Sequence, residues 1–380
     1  MNNSSSGNFI TRDHTYVYLG GSVIALFTLS LLYSGGVTPY SFLIPGGALF
    51  TVCAAVCWLF IAVSLAALGF KASHWKTYGS SFFRQPRIMK LSRYLSYILC
   101  AVCVLALADR WVLRLVYTVQ SCLAMEKNPQ DFVSSMIYMS AKGKDLILTG
   151  IWTTIRIALL GTAIAFLLSL LMVFCRIQEP NSRDNDFVKF LKIAASSFAR
   201  FYIFIIRGTP MMVQALILYY FGFGLFKRTD MTVTEINNIW SFFISGLCTV
   251  SLNSTAYLAE VLRGGIQSID AGQTEAARSL GMTNWQTMTK VVFPQAIKNS
   301  IPAIGNEFII NIKDSSVLSV IGVMDLMYSI KSVSGIYFRS LEIYCVGALL
   351  YLVLTWLSSL LLKYVSKKLD PPAKGIPSSN

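Results

Sequence analysis

The stretch that decides the fold joins two long apolar segments and reads AGQTEAARSLGMTNWQTMTKVVFP, residues 271–294. Its first part predicts a short helix over residues 274–280, which carries the small residues Ala276 and Ala277 on one side. Gly281 follows at the position where helices often end in a left-handed residue, a conformation that a side chain disfavours. A short helix that stops at a glycine, with alanines that permit close approach, favours rigid docking against another protein.

The second part of the stretch predicts another short helix. Thr283 followed by Gln286 has the spacing of a capping box, in which each side chain bonds the backbone N–H of the other residue at the start of a helix. We expect this helix to run to Val292 and to end at Pro294, since proline lacks the N–H that a helix interior needs. The stretch therefore predicts an elbow of two helices; the alternative is an amphipathic hairpin that lies on a membrane surface.

Outside this stretch, the composition predicts a polytopic all-α membrane protein. The chain has 380 residues, of which 54% are hydrophobic and 13% charged, whereas soluble chains carry about 25% charged residues. The same figures exclude a disordered chain, a collagen-like chain and a small disulfide scaffold. We expect the net charge of +14 to reflect membrane topology and not a nucleic-acid partner, because membrane proteins concentrate Lys and Arg on one side.

Several apolar segments are long enough to be membrane-spanning helices, which need about 20 residues. The candidates are 16–33, 42–70, 94–119, 146–175, 201–223, 240–262, 301–322 and 341–364. With both termini placed in the cytoplasm, Lys and Arg are about three times as frequent in the cytoplasmic loops as in the external loops, as the positive-inside rule requires. We therefore predict a multi-pass protein with both termini in the cytoplasm.

The distribution of polar residues divides the chain. The first three apolar segments carry no chemical signature, whereas placed polar residues and glycines become frequent further along. Pro129 and the polar stretch 127–131 mark the change. We predict an N-terminal membrane extension of three spans over 1–130, a core of five spans over 131–370 with a cytoplasmic loop at 264–297, and a cytoplasmic tail over 371–380.

The docking stretch resembles a known motif. It has EAA at 275–277, Gly281, and VVFP at 291–294, which is similar to the pattern E-A-A-x3-G-x9-I-x-L-P of the EAA loop in ABC importer permeases, with Val for Ile and Phe for Leu. In that family the loop is the coupling helix, which sits in a cleft of the ATP-binding subunit. The resemblance implies that the residues with the ATPase-coupling role here are Glu275, Ala276, Ala277, Gly281 and Pro294.

Further runs of sequence narrow the family to polar amino acid permeases of the HisMQ type. The runs similar to that group are RGTPMMVQ at 207–214, YYFG at 219–222, AYLAEVLRGGIQS at 256–268, GNEFI at 305–309 and KDSS at 313–316. The resemblance covers about residues 145–365 and implies the type I importer fold in a bacterial inner membrane. It also implies a pair of ABC ATP-binding subunits, a second permease subunit (identical or homologous), an external or periplasmic solute-binding protein, and an amino acid substrate.

Polar residues inside the apolar segments are candidate functional residues, since a charge in a span costs several kcal/mol unless it faces protein or water. Asn253, Glu260 and Arg263 recur at helical spacing on one face. They form either a polar wall of the substrate pathway or, for Glu260 and Arg263, a salt bridge at the helix end that shapes the docking stretch. A second polar face consists of Glu307, Asn311 and Asp314. That face must line the pathway or an interface with a second permease subunit, because it is too polar to face lipid.

A glycine and a proline lie at the cytoplasmic entry to the fifth candidate span. The four consecutive residues are Arg207, Gly208, Thr209 and Pro210. We interpret them as a structural elbow, where a surface helix turns into the bilayer, with an arginine whose head reaches the interface.

Enzyme motifs are absent from the sequence. It contains no GxxxxGK[ST] run to hold ATP phosphates, no HExxH and no GxSxG. We therefore expect a non-catalytic transport subunit that binds no cofactor and no metal, with ATP used by a partner ATPase. The alternatives are an ABC permease for another small zwitterion such as an osmoprotectant, an ion-coupled secondary transporter that acts alone, and a membrane scaffold that transports nothing.

Overall fold

The structure is a computed structural model that describes residues 15–74, 82, 85–178, 180 and 184–369. Every regular element in these ranges is helical, which confirms the predicted all-α class. The chain divides into two compact units, Met1–Ser134 and Ser135–Asn380. The predicted cytoplasmic tail, 371–380, lies outside the described residues.

The first unit contains the helices of the N-terminal extension. They are α1 (Thr15–Tyr33), α2 (Ala48–Ser73), α3 (Pro86–Leu107) and α4 (Arg114–Ala124), with a π-helical turn (Ala108–Leu113) between the last two. α1 packs against both α2 and α3. Phe60 of α2 is buried against Gly21 of α1, where a Cβ would lie 2.3 Å from the phenyl ring. The close approach of α1 and α2 therefore depends on a residue without a side chain.

The second predicted span begins later than expected. We predicted a helix from residue 42, but Phe42 and Leu43 lie in a loop and α2 begins at Ala48. The Pro–Gly pair at 45–46 prevents an earlier start, and the glycine has a φ of +84°. The buried Asp109 carboxylate accepts hydrogen bonds from the backbone N–H groups of Phe42 (2.7 Å) and Leu43 (3.3 Å). It thereby supplies acceptors for two backbone N–H groups of this loop.

The second unit contains the helices of the core. They are α5 (Phe132–Lys142), which begins within the first unit and crosses the boundary, α6 (Lys144–Arg176), α7 (Asp186–Gly208), α8 (Met211–Lys227), α9 (Val233–Ile239), α10 (Phe242–Gln267), α11 (Ala271–Ser279), α12 (Asn284–Thr287), α13 (Phe293–Asp314), α14 (Leu326–Tyr337) and α15 (Ser340–Leu369). A π-helical turn (Met288–Val292) joins α12 to α13, and a 3₁₀-helix (Ser315–Ile321) follows α13. Among the described helices, α6 packs most extensively against α10. Gly161 permits this contact, because a Cβ there would lie 2.7 Å from a methyl carbon of Val250.

The described helices confirm a polytopic protein. Five stretches are long and apolar enough to cross a membrane: α2, the continuous Lys90–Ala124, α6, α10 and α15. Two bent pairs meet the same criterion together, namely α7 with α8, and the stretch Asn284–Ile321 with α14. α1 is a shorter apolar helix.

Two predicted spans contain a bend, and the first bend lies at residues 207–210, where the sequence predicts a structural elbow. The span predicted over 201–223 consists of the end of α7 and most of α8, which meet at 111°. The reason is Pro210, which forces the preceding Thr209 into an extended conformation (φ −122°, ψ 145°). The span predicted over 301–322 changes from α13 to the 3₁₀-helix and stops at Gly322, whose φ is +97°. α14 then continues at an angle of 53° to the preceding helical stretch.

Candidate functional site

The stretch between α10 and α13 forms a two-helix elbow. We call it the hairpin (residues 270–292) for its shape alone; the name does not imply that it lies on the membrane surface. Asp270 caps its first helix, α11, by accepting a 2.7 Å hydrogen bond from the Gly272 N–H. Gly281 ends α11 with a φ of +82°, as predicted. The N–H of Gly281 donates to the Arg278 carbonyl and the N–H of Met282 to the Ala277 carbonyl, which is a Schellman motif. The turn is therefore closed by its own backbone bonds.

The second helix of the hairpin begins as predicted and ends differently. The N–H of Thr283 donates to the Gln286 side chain (2.9 Å), and the N–H of Gln286 donates to the Thr283 hydroxyl (3.2 Å), which confirms the capping box. Our expectation that Pro294 ends this helix is wrong. Pro294 lies in the first turn of α13, which continues directly from the π-helical turn. Proline is tolerated there because a first turn needs no N–H from it, so the hairpin is continuous with a long span.

The hairpin packs with one side and leaves the other side exposed. Ala277 is buried, whereas Glu275 and Ala276 are exposed. Two large apolar side chains of the hairpin are also exposed, Leu280 at 81% and Trp285 at 61%. An exposed apolar surface is typical of a contact with another protein or with a membrane.

A cluster of charged side chains lies where α10 approaches the hairpin. Arg263 Nε donates to Glu260 Oε2 at 2.8 Å, so the predicted pair at i, i+3 is present. Arg176, at the end of α6, donates to the other oxygen of Glu260. Arg263 also donates to Gln267 (2.7 Å). Glu260 and Arg263 therefore form a salt bridge near the end of α10, which is one of the two arrangements that the sequence allows. Arg176 extends this salt bridge to α6.

The elbow between α7 and α8 is fixed by a side chain that sequence reasoning did not single out. Gln214 Nε2 donates to the carbonyl oxygens of Ile206 (2.8 Å) and Thr209 (3.0 Å), on the other side of the bend. Its Oε1 accepts a 2.9 Å hydrogen bond from Asn253 of α10. Asn253 is buried and its amide is directed at the elbow. α10 therefore braces the bend.

The four residues of the elbow, 207–210, each lie in a different environment. The Arg207 guanidinium lies 5.2 Å from the centre of the Tyr257 ring, within the range of a cation–π contact. A Cβ on Gly208 would meet no atom within 4 Å, so no close approach requires that glycine. Thr209 and Pro210 form the break itself.

A polar network lies inside the bundle on the predicted second face. Glu307 is 7% exposed and Asn311 is 3% exposed, which agrees with a face that avoids lipid. Asn311 Nδ2 donates to the Thr162 hydroxyl of α6 and its Oδ1 accepts from the Ser254 hydroxyl of α10, both at 2.9 Å. Asp314 is half-buried at the end of α13. The amide of Asn311 thus connects three spans.

Comparison with known proteins identifies the family. The sequence profile described as "Binding-protein-dependent transport system inner membrane component" matches residues 189–371. The nopaline transport system permease protein NocM of Agrobacterium fabrum is 32% identical over 229 residues, which are 59% of this chain and 88% of NocM. The chain belongs to this family of transport permeases. The permease is also 32% identical over 224 residues to the glutamine transport system permease protein GlnP of Escherichia coli, which covers 59% of the permease and 93% of GlnP.

A solved structure supports the same assignment. The permease aligns with a crystal structure of an amino acid ABC transporter with histidines at a TM-score of 0.52 and 36% identity, over 63% of the permease and 99% of that chain. The resemblance to ABC importer permeases and the predicted importer permease fold of the core are therefore confirmed. The family profile matches only within the second unit, so the first unit lies outside the matched region.

Proposed function

We propose that the permease is the membrane-spanning subunit of an ATP-driven importer of polar amino acids. An external solute-binding protein delivers the substrate, and a pair of ABC ATP-binding subunits hydrolyses ATP. The proposal is supported by family membership, by relatives named for nopaline and glutamine transport, and by a structural neighbour that is an amino acid ABC transporter. It places the permease in a bacterial inner membrane with both termini in the cytoplasm.

The hairpin carries the coupling part of this proposal. It is a closed turn with exposed Glu275, Ala276 and Leu280 on one side and buried Ala277 on the other. Both of its ends continue into spans that hold polar residues, α10 and α13. A rigid element of this kind transmits movement of a docked ATPase to both spans at once. Within it, Gly281 closes the turn and Pro294 lies where the hairpin passes into α13.

The charged cluster and the elbow have supporting roles in this proposal. Glu260 of α10 accepts from Arg263 on its own helix and from Arg176 of α6, so this cluster joins the hairpin end of α10 to α6. The cluster transmits force and does not need to contact substrate. Asn253 stabilises the bend at Pro210. Neither group requires bond chemistry, which accords with a transport subunit whose ATP is used by its partner.

The buried face of α13 supports the pathway part of the proposal. Glu307 and Asp314 present carboxylate acceptors beside Asn311, whose amide holds three spans together. The ammonium group of an amino acid needs such acceptors. In this proposal, the half-buried end of the face at Asp314 borders the pathway that the permease shares with a second permease subunit. Substrate then passes by alternation between two states that ATP and the loaded binding protein favour differently.

The proposal is tested by purification of the tagged permease from its host in mild detergent, followed by identification of every stoichiometric partner. An ATP-binding subunit should be recovered with the wild type and lost with Gly281→Val. A Cβ at Gly281 meets no atom within 4 Å. The strain of a β-branched residue in the left-handed backbone should cost about 1–2 kcal/mol.

Gly281→Asn is the matched control, because asparagine tolerates the left-handed conformation. It should retain the partner. A permease that is purified alone and well folded would contradict the coupling role and favour a secondary transporter. Uptake that an osmoprotectant inhibits, while polar amino acids do not, would assign the second substrate class.

A further inference from the structure

A cavity of about 540 Å³ lies between the hairpin and the nearby ends of α6, α7 and α10. Its volume is within the range of about 300–1,000 Å³ that ligand pockets occupy. Residues from α6, α7, α10 and the hairpin line it, so it is not a gap within one helix pair. The π-helical turn at Met288–Val292 contributes to one wall, and such turns often accompany functional sites.

The described charged residues that line this cavity are cations. Lys192 of α7 and Arg278 of α11 lie in it on two different elements, and no Asp or Glu is among the lining residues that the structure describes. Lys192 Nζ donates a 2.7 Å hydrogen bond to Asp184 Oδ2, which is not among the described lining residues. The described lining is cationic, which favours an anionic ligand.

The rest of the lining is amphipathic. Phe174, Ile177 and Ile266 form an apolar part, and Asn284 supplies a neutral polar side chain. The Trp285 ring lies 6.1 Å from the Phe174 ring, at the exposed margin of the cavity. Tryptophan is enriched where one end of a side chain contacts lipid tails and the other contacts water. The lining therefore combines a cationic surface with an apolar surface.

We propose that this cavity binds an anionic phospholipid of the cytoplasmic leaflet. The phosphate lies between Lys192 and Arg278, since guanidinium and ammonium groups are the usual phosphate partners. The start of an acyl chain follows Phe174 and Ile177 toward the bilayer. Anionic lipids are attracted to basic pockets between helices on the cytoplasmic side. This proposal rests on the proposed function in one respect, namely that the hairpin lies on the cytoplasmic side of the membrane.

The consequence is a lipid-dependent hairpin. A headgroup that contacts Arg278 on α11 and Lys192 on α7 joins the hairpin to the rest of the core. Such a ligand stabilises whichever state brings the two cations together, and it shifts the equilibrium by its differential affinity for that state. Transport would then depend on the anionic lipid content of the membrane.

The test compares the purified transporter in nanodiscs of phosphatidylcholine with nanodiscs that also contain phosphatidylglycerol. Hydrogen–deuterium exchange of residues 271–292 is measured in both, and co-purified lipids are counted by native mass spectrometry. In the wild type, phosphatidylglycerol should slow exchange in this segment and remain bound. Lys192→Gln and Arg278→Gln should each weaken retention about fivefold, which corresponds to about 1 kcal/mol per cation near an anionic surface.

Lys290→Gln is the matched control, because Lys290 is an exposed cation of the hairpin that does not line the cavity. It should behave as the wild type. The proposal would be overturned if residues 271–292 exchanged equally fast in the two kinds of nanodisc. It would also be overturned if Lys290→Gln lost as much bound phosphatidylglycerol as the cavity variants. The same slowing by soluble glycerophosphate would replace the lipid by a free phosphate ligand.

The ATPase subunit is scored in the same samples. If Arg278→Gln and Lys192→Gln lose that subunit but keep the lipid, the cavity belongs to the ATPase contact and the lipid proposal is wrong. If no ATPase is recovered from any sample while lipid retention follows the two cations, the coupling role fails and the lipid site stands.

Discussion

Replacing Gly265 by alanine should loosen the contact between α10 and α13, whereas replacing the adjacent Gly264 should not. A Cβ on Gly265 would lie 2.2 Å from the Ser300 hydroxyl oxygen and 2.9 Å from the Ala296 carbonyl oxygen. The hydroxyl can rotate away, but the carbonyl belongs to the backbone of α13. The two helices must therefore separate by a few tenths of an ångström. A Cβ on Gly264 would meet no atom within 4 Å.

The difference between the two variants isolates the packing effect. Each alanine stabilises the helix by about 0.5–1 kcal/mol relative to glycine, and this gain cancels in the comparison. Forcing extra volume into a packed contact costs about 1–3 kcal/mol. Gly264→Ala should therefore raise the free energy of unfolding slightly. Gly265→Ala should be less stable than Gly264→Ala by about 1–3 kcal/mol.

Thermal unfolding of the full chain in mild detergent measures this difference. For a unit of this size, 1 kcal/mol shifts Tm by about 2–4 °C, so Gly265→Ala should unfold about 2–12 °C below Gly264→Ala. Adding Ser300→Ala to Gly265→Ala should recover only part of the loss, because the Ala296 carbonyl remains. Equal Tm values for the two glycine variants, or a higher Tm for Gly265→Ala, would refute the described packing of α10 on α13.

Further substitutions test the polar contacts. Asn311→Leu removes two interhelical hydrogen bonds and should cost about 1 kcal/mol, at about 0.6 kcal/mol each in a membrane protein; an unchanged Tm would mean that they contribute nothing net. Gln214→Leu removes the brace of the elbow and should broaden the distance distribution between spin labels on α7 and α8, whereas an unchanged distribution would assign the bend to Pro210 alone. Glu260→Gln leaves two arginines without a counter-charge, so its loss of stability, up to about 1 kcal/mol, should shrink in high salt. A salt-independent loss would show that the effect is not electrostatic.

The hairpin was predictable from sequence because its signals are local. The left-handed Gly281 and the capping box of Thr283 with Gln286 act within a few residues, so spacing alone identified both. The Glu260–Arg263 pair was also predictable, since residues three apart share a helix face. The error at Pro294 has a structural cause. The π-helical turn before Pro294 lets the chain continue into α13, and no residue type predicts such a turn.

The sequence alone determined the class of the protein, the approximate positions of its spans and the local form of the hairpin. Hydropathy and short spacings carry that information, because both depend on each residue and its near neighbours. Only the tertiary structure decided that Arg176 joins Glu260, that Gln214 and Asn253 brace a 111° bend, and that Asp109 holds the loop at Phe42. These partners are far apart along the chain. Which of many polar groups meet is set by helix packing, since buried polar atoms must find a partner wherever the fold brings one within reach.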